Sequence, residues 1–279
     1  MTRLPIRTPS ALRVLVAAIT LLAIPLPGHA ALTTGLAAYY GFDGSGADFS
    51  GNGRDVSLFG GAGFATGLFG QALDLHRNIS QFAQRPADDA VLNFGSGEFT
   101  IQTWVSFNSI SGEQVLMEKF SGMSGPGWTL SMVNDSWAFR AWHFYALPSA
   151  WLASPSQTIE LGVWHQVLIR REGIEFDLFY DGTVVASTSN PNAVPDTSMP
   201  LLIGKRNDLD GRGFPLDGRI DETAIWTRAL SDNEVAYLYN RGAGNPIVPE
   251  PTSLVVWCLL GALGICVAWW RRRRAFSTP

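Results

Sequence analysis

Phe99-Thr100-Ile101-Gln102-Thr103-Trp104-Val105 alternates along its length, with Phe99, Ile101, Thr103 and Val105 falling on one side and Thr100, Gln102 and Trp104 on the other. A period of two belongs to a β-strand, whose successive side chains point to opposite faces of a sheet. The run extends to Phe107, and outward from it the same kind of run recurs. Leu36 to Phe42, Ala72 to Leu75, Val115 to Phe120, Trp128 to Val133 and Trp137 to Trp142 are short apolar or alternating segments. Trp164 to Arg170, Ile174 to Tyr180, Thr183 to Ser187, Leu201 to Gly204 and Gly218 to Trp226 continue the series. Asp181-Gly182 separates two of them and predicts a two-residue hairpin turn, in which both central residues take positive φ. Asn134-Asp135-Ser136 marks another turn. Many short strands between turn signals read as a sandwich or a barrel. One helix is predicted over Ser231 to Tyr239. Ser231 and Glu234 have capping-box spacing, and Gly242 is placed to close the helix.

The two ends of the 279-residue chain differ from its middle. Residues 1–30 read as a signal peptide removed by signal peptidase. Arg3, Arg7 and Arg13 form a basic start, Val14 to Ile24 is too short an apolar run to span a bilayer, and Gly28-His29-Ala30 offers small residues for cleavage. Near the other end, Leu254 to Trp270 is uncharged and at the lower length limit of a transmembrane helix. Arg271, Arg272, Arg273 and Arg274 follow, a charge cluster that favours the cytoplasmic side, so residues 271–279 read as a cytoplasmic tail. Both cysteines, Cys258 and Cys266, lie in the apolar span, so the middle has no disulfide and rests on core packing.

All 24 acidic residues lie between 31 and 250, whereas seven of the 20 basic ones lie in the tails. The middle therefore carries 13 basic against 24 acidic residues, a net charge of −11. Such a surface argues against nucleic acid, whose binding depends on phosphate neutralisation. It suits solubility outside the cell, or divalent cations.

Blocks spread over residues 35–240 resemble, in order, the laminin-G-like jelly-roll domains of the concanavalin A-like lectin/glucanase superfamily. They begin with Gly35-Leu36-Ala37-Ala38-Tyr39-Tyr40-Gly41-Phe42-Asp43, Asp48-Phe49-Ser50-Gly51-Asn52-Gly53 and Phe69-Gly70-Gln71-Ala72-Leu73. The strand at Phe99 to Val105 and the pair Gly162-Val163-Trp164-His165 and Phe179-Tyr180-Asp181-Gly182 follow. Leu202-Ile203-Gly204, Gly218-Arg219-Ile220-Asp221-Glu222 and Arg228-Ala229-Leu230-Ser231 close the set. The resemblance implies an all-β fold for residues 31–245, a two-sheet antiparallel jelly-roll sandwich with one short helix. Residues 246–253 form a linker. Its Pro249-Glu250-Pro251, followed by the apolar span and Arg271 to Arg274, resembles the PEP-CTERM sorting signal of Gram-negative bacteria. That resemblance implies recognition by an exosortase, a transient stay in the inner membrane, and release to the cell surface or the exopolysaccharide matrix.

Some relatives in this superfamily are glycoside hydrolases, which need two carboxylates flanking the scissile bond. The nearest match to a Glu-x-Asp-x-Glu strand is Glu175-Phe176-Asp177, but Phe179 stands where the second Glu belongs, so no catalytic residue is assigned. No phosphate loop, nucleophile elbow or His-Glu-x-x-His motif occurs. His165 reads as a half-buried strand residue. Many such jelly rolls hold a structural Ca²⁺, and the resemblance makes Asp43, Asp48, Asn52 and Asp221 the candidates for one. The same residues also suit Asx turns that cap their own loops. Asn207-Asp208-Leu209-Asp210-Gly211 reads as a polar turn.

For a ligand, the notable segment is Trp137 to Trp151. Alternation groups Trp137 and Phe139 on one face and Arg140 with Trp142 on the other, with Tyr145 beyond. A ring and a guanidinium together suit a glycan, the ring for its C–H face and the fork for its hydroxyl or acidic groups. The expectation is a non-enzymatic carbohydrate-binding or adhesion protein, with extracellular polysaccharide as partner. The alternatives are a matrix protein without a specific ligand and a divergent glycosidase or lyase.

Overall fold

The computed structural model describes residues 32–77, 81–121, 125–134, 139–146, 150–154, 158–207 and 213–247; for 134, 139–146, 150 and 151 it describes the backbone alone. In chain order the first strands are β1 (Leu36–Tyr40), β2 (Ser57–Phe59), β3 (Gly63–Thr66), β4 (Gln71–Leu75) and β5 (Phe82–Gln84). Then come β6 (Phe99–Phe107), β7 (Glu113–Phe120), β8 (Gly127–Asn134), β9 (Phe139–Ala146) and β10 (Ala150–Ala153). The last are β11 (Trp164–Glu172), β12 (Glu175–Tyr180), β13 (Thr183–Ser189), β14 (Leu202–Ile203) and β15 (Gly218–Trp226), followed by helix α1 (Asp232–Tyr239).

The strands form two antiparallel sheets. One, the β6 sheet, has eight strands in the order β13-β12-β11-β6-β15-β4-β3, with β1 also pairing β15; the other, the β7 sheet, has seven in the order β10-β9-β8-β7-β14-β5-β2. The core fills the space between them. Phe99, Ile101 and Val105 of β6, Ile220 and Ile225 of β15, and Val167 and Ile169 of β11 meet Leu116, Met117, Trp128, Leu130 and Met132 from the β7 sheet. Trp128 is fully buried, and its indole N–H donates to the Leu92 carbonyl at 3.1 Å. That leaves no polar atom of the ring unpaired in the core.

The β6 sheet is buried on its outer face as well. Helix α1 lays Val235 and Leu238 over Leu168, Phe179, Ala224 and Trp226, with Leu230 and Ile247 closing the patch. This is why every residue of β6 is buried although it alternates in sequence. Trp104, on the helix side, stacks on Tyr239 at 6.1 Å and 14°. The capping box forms as the spacing requires: the Glu234 N–H donates to Ser231 Oγ, and Glu234 Oε2 accepts from the Ser231 N–H at 2.8 Å. Its end differs from expectation. Asn240 takes the left-handed conformation and caps α1, while Gly242 ends a short 3₁₀ turn beyond it. Asparagine tolerates that conformation because its short amide bonds locally, here to the Gly244 carbonyl at 3.0 Å.

Of the sequence-predicted strands, those at Phe99–Phe107 and Gly218–Trp226 keep their bounds; the others shift by a few residues. Strands β2, β3, β5 and β10 were not expected; they have three or four residues each, too few to show a period. Residues 1–30 and 248–279, which include both predicted targeting segments, lie outside the described residues, as do 135–138 of the turn expected after Asn134. Among the described residues no helix is long and apolar enough to cross a membrane.

The β12–β13 hairpin turns at Asp181 (φ 48°) and Gly182 (φ 71°), both positive as expected. A Cβ on Gly182 would stand 2.6 Å from Tyr239 Cδ1, so the turn is pressed against the end of α1. Gly173 also has positive φ, 59°, but nothing lies within 4 Å of its Cβ position. Gly182→Ala is therefore expected to cost about 2–3 kcal/mol, backbone strain plus crowding, and Gly173→Ala only about 1 kcal/mol. Denaturant unfolding of the two variants checks this; equal losses would mean that the Tyr239 contact contributes nothing.

Candidate functional site

Two places in the sandwich gather polar groups. The first is in β15. Its Gly218–Ile220 half pairs with β4 and its Thr223–Trp226 half with β1, while β6 runs along the other edge. At the change of partner the register shifts between Asp221 and Ala224, and Glu222 takes φ 48°. The fully buried Asp221 serves the loops there: its Oδ2 accepts from the N–H groups of Leu68 (2.8 Å) and Phe69 (3.2 Å), and its Oδ1 from that of Glu222 (2.8 Å). Tyr39 donates its hydroxyl to Glu222 Oε1 at 2.7 Å, and Asp43 Oδ1 accepts from the Gln71 N–H at 2.6 Å. Burial pushes the Asp221 carboxyl up to about 7 and that of Glu222 to about 8, against the N–H and O–H groups that favour their ionised forms. Asp43, close to both, adds repulsion.

Only two of the four residues expected to hold calcium belong to this cluster. Asp48 Oδ1 accepts from the N–H groups of Tyr39 (3.0 Å) and Ser50 (2.9 Å), and its Oδ2 from that of Arg54 (2.9 Å). Asn52 donates its amide to the carbonyls of Leu36 (2.9 Å) and Ala37 (3.0 Å). Both therefore tie their own loop to β1, the turn role open to them from the sequence. Among the described residues no three acidic, His or Cys side chains are arranged to hold a metal ion. As they stand, the four candidates do not fit the six to eight oxygens of a calcium shell.

The second place is the outer face of the β7 sheet, the face away from α1. Cross-strand partners stand on the same side of a sheet. Glu118 pairs with Thr129, Thr129 with Tyr145, and Tyr145 with Trp151. Ser131 pairs with His143, and Glu113 with Val133, which pairs with Arg140. Between these two rows β9 carries an extra residue, because the register shifts between Ser131 and Val133. The alternation expected to group Arg140 with Trp142 is interrupted there: Arg140 and Tyr145 hold positions in the rows, and Trp142 falls in the shift. The side chains of these three residues lie outside the described part of the structure.

Arg206, from the loop after β14, docks on this face. Its guanidinium bonds Glu113 at 2.7 Å and Glu118 at 3.3 Å and lies 4.7 Å from the Phe214 ring centre. The Asn207 N–H donates to Glu118 Oε1 and Ser131 Oγ to Glu113 Oε1, so the two carboxylates fasten the loop to the sheet. Glu118 is fully buried, which pushes its carboxyl up to about 7 even with those donors beside it. Further along, at the β2 edge, Phe59 and Phe82 stack with centroids 5.0 Å apart and planes 11° from parallel. The Lys205 ammonium lies 5.2 Å from the Phe82 ring centre. Sequence reading missed this pair because Ser57-Leu58-Phe59 is so short; the Gly60-Gly61 turn signal after it was the available cue.

Elsewhere the sequence candidates have structural partners. Asp177 is paired with Arg170 at 2.9 Å and accepts from Ser187 Oγ, and Arg170 also reaches Asp232 of α1 at 2.7 Å. Glu175 accepts from Ser189 Oγ at 2.7 Å. His165 is more buried than expected, its Nδ1 within 2.9 Å of both Asp181 Oδ2 and Tyr180 Oη. Asp208 to Gly211, the sorting motif Pro249-Glu250-Pro251 and Arg271 to Arg274 lie outside the described residues.

A family model, that of the concanavalin A-like lectin/glucanases superfamily, matches residues 82–236. A search of curated proteins finds no match to the chain. Among solved structures, the binding domain of Paraclostridial Mosquitocidal Protein 1 superposes with a TM-score of 0.58 at 21% identity, over 75% of this chain and 52% of that one. Domain 4 of AbnA, a GH43 extracellular arabinanase from Geobacillus stearothermophilus in complex with arabinotriose, gives 0.58 at 19% identity, over 75% of this chain and 98% of that one. The binding domain of Botulinum Neurotoxin DC in complex with SialylT gives 0.53 at 13% identity, over 75% and 52%. The chain thus spans about half the length of the two toxin domains. At these identities the likeness is one of fold.

Glu118 supplies a pH test. Its carboxyl binds its proton more tightly in the folded chain, at about 7 against 4.5 unfolded, so unfolding stability falls as pH rises between those values. Glu118→Gln removes that slope. Relative to the parent it is expected to gain about 1–3 kcal/mol between pH 4.5 and pH 8 in denaturant unfolding. A difference that stays constant with pH would mean that Glu118 is ionised throughout.

Proposed function

Because the chain belongs to the concanavalin A-like lectin/glucanases superfamily, we propose that it is a non-enzymatic carbohydrate-binding protein that holds a glycan on the outer face of its β7 sheet. The observation that carries this reading is the division of labour between the sheets. Helix α1 occupies the outer face of the β6 sheet, whereas that of the β7 sheet is polar: Glu118, Thr129 and Ser131 are fully buried in it, and Glu113 and Arg206 reach solvent in part beside the register positions of Arg140, His143 and Tyr145. Hydroxyl, carboxylate, guanidinium and aromatic groups along neighbouring strands are the chemistry that recognises a sugar, apolar on its C–H face and polar at its rim. AbnA domain 4 in complex with arabinotriose and the neurotoxin domain in complex with SialylT support a saccharide ligand on this architecture. Glu175 and Asp177, the carboxylates nearest to a hydrolase pattern, lie on β12 of the other sheet, where Arg170 neutralises Asp177. No step of the proposed function passes through a metal ion.

The same reading places the protein outside the cell. The signal peptide at 1–30 exports it, the span at 254–270 with Arg271 to Arg274 stops it in the inner membrane, and an exosortase acts at Pro249-Glu250-Pro251. The domain is then delivered to the surface or the exopolysaccharide matrix, where a net charge of −11 keeps it soluble.

The binding test is a glycan-array scan of the surface-released protein, followed by Tyr145→Ala and Arg140→Ala. Binding to a defined glycan class is expected, with each variant about tenfold weaker at unchanged thermal stability. Retention of no glycan at high concentration would leave a matrix protein without a specific ligand. The sorting proposal is tested by mass spectrometry of the mature C-terminus, which should lack Arg271 to Arg274; finding them attached contradicts it.

A further inference from the structure

We infer that Lys119 and Asn93 close an intramolecular amide cross-link after the chain has folded, with Asp88 as the group that takes the proton from the amine. The inference is independent of where a glycan binds.

Three stretches of chain converge on the core side of the β7 sheet. Lys119 is in β7, opposite Trp128 of β8. Asn93 ends the short 3₁₀ turn Ala90–Leu92 in the connection from β5 to β6, and Thr197 lies in the connection from β13 to β14. Lys119 is fully buried, and its Nζ bonds Asp88 Oδ1 (2.6 Å), Asn93 Oδ1 (2.8 Å) and the Thr197 carbonyl. An amine, a side-chain amide and a carboxylate thus share one hydrogen-bonded cluster. They are the nucleophile, the acyl group and the base that amide exchange requires.

Asn93 is held for the reaction from both sides. Its neighbours Leu92 and Phe94 are buried in the core, where the Trp128 indole N–H holds the Leu92 carbonyl and Phe94 stacks on Phe99 at 4.1 Å. The Asn93 N–H donates to the Ala90 carbonyl at 3.1 Å. The Thr197 N–H donates to Asn93 Oδ1 at 3.3 Å, which polarises the carbonyl and supports the negative charge that attack would place on it. Cγ lies one bond behind that oxygen and so at most about 4 Å from Nζ, close to the about 3–3.5 Å of a reactive pose.

The step balances without a co-reactant. Nζ gives one proton to Asp88 and attacks Asn93 Cγ; the Nζ–Cγ bond forms and the Cγ–Nδ2 bond breaks. Nδ2 takes a second proton from Nζ and leaves as ammonia, and Asp88 then releases its proton to solvent. The hydrogen bond from Lys119 holds the Asp88 carboxyl below its usual range, so Asp88 stands as a carboxylate able to accept. Its side chain is 40% exposed, which opens the cluster to water for the departing ammonia. The product no longer carries a charge in the core, where charge is expensive to keep. Thr197 alone then satisfies the new amide, its N–H at the oxygen and its carbonyl at the remaining Nζ–H. The only cysteines, Cys258 and Cys266, lie outside residues 31–250, so no disulfide ties this region. The amide would do so, enclosing residues 93–119 with all of β6 and restricting the unfolded chain as a disulfide does.

Tryptic peptide mapping of the full chain, purified in detergent and then denatured, reads the link whatever processing either end has undergone. The parent should give one peptide spanning residues 78–140, uncut after Lys119 and lighter than its sequence by one ammonia. Fragment ions should place the bond between Asn93 and Lys119. Asn93→Asp should close the same link with loss of water in place of ammonia, and Lys119→Met should give the full mass. Asp88→Ala keeps both joined residues and should slow closure at least about a hundredfold, so that freshly purified protein is uncrosslinked. Thermal unfolding checks the fold of each variant, and the linked parent should melt about 5–10 °C above Asp88→Ala. A folded parent that is cut after Lys119 and retains its ammonia overturns the inference. Ammonia loss that survives Lys119→Met also overturns it, because the loss then belongs to cyclisation of Asn93 on its own backbone. Closure at the parent rate in Asp88→Ala overturns the role given to Asp88.

Discussion

Strand β15 has one partner along its whole length on one edge, β6, and two in succession on the other, β4 and then β1. The change of partner imposes a local cost, because Glu222 must take a left-handed backbone conformation inside the protein. Such a residue is tolerated where the surroundings fix it on every side. Tyr39 from β1 holds its carboxyl, and Asp221 holds both its N–H and the Leu68–Phe69 turn ahead of β4. One buried acidic pair therefore joins the beginning of the domain to its end. Past the shift, β15 carries Ala224 and Trp226 on its outer face, and these seat α1.

That seat determines where a ligand can be met. With α1, Leu230 and Ile247 on the β6 sheet, both faces of β6 become interior; on the β7 sheet the outward Glu118, Thr129 and Ser131 are buried too, beside Glu113 and Arg206, which reach solvent in part. The loop after β14 is drawn onto that face by Arg206 and its two carboxylates. It brings Lys205 to the Phe82 ring in the same movement of the chain.

The elements legible in the sequence are those whose signal is local. Phe99 to Val105 shows its period, Asp181-Gly182 its turn, and Ser231 with Glu234 its cap, and each is found in place. The family resemblance supplied the two-sheet antiparallel sandwich, which no local pattern encodes. The site was harder to read. Arg140 and Trp142 were grouped by strict alternation, and a register shift in β9, set by pairing with β8, breaks that rule without any Gly or Pro to announce it. Asp48 and Asn52 have the composition of a cation loop, yet their partners are N–H and carbonyl groups of β1, a tertiary fact. Phe59 and Phe82 come together only through pairing of two three-residue strands twenty-odd residues apart.

The most direct measurement of the central claim is backbone amide NMR of the isotopically labelled protein during titration with an oligosaccharide that it binds. If the glycan lies on the outer face of the β7 sheet, the perturbed amides will cluster in β2, β5, β7, β8 and β9 and in the Lys205–Asn207 segment. Perturbations confined to α1, to the Asp43–Asn52 loop or to the β12–β13 hairpin would put the ligand on the other side of the sandwich and contradict the account.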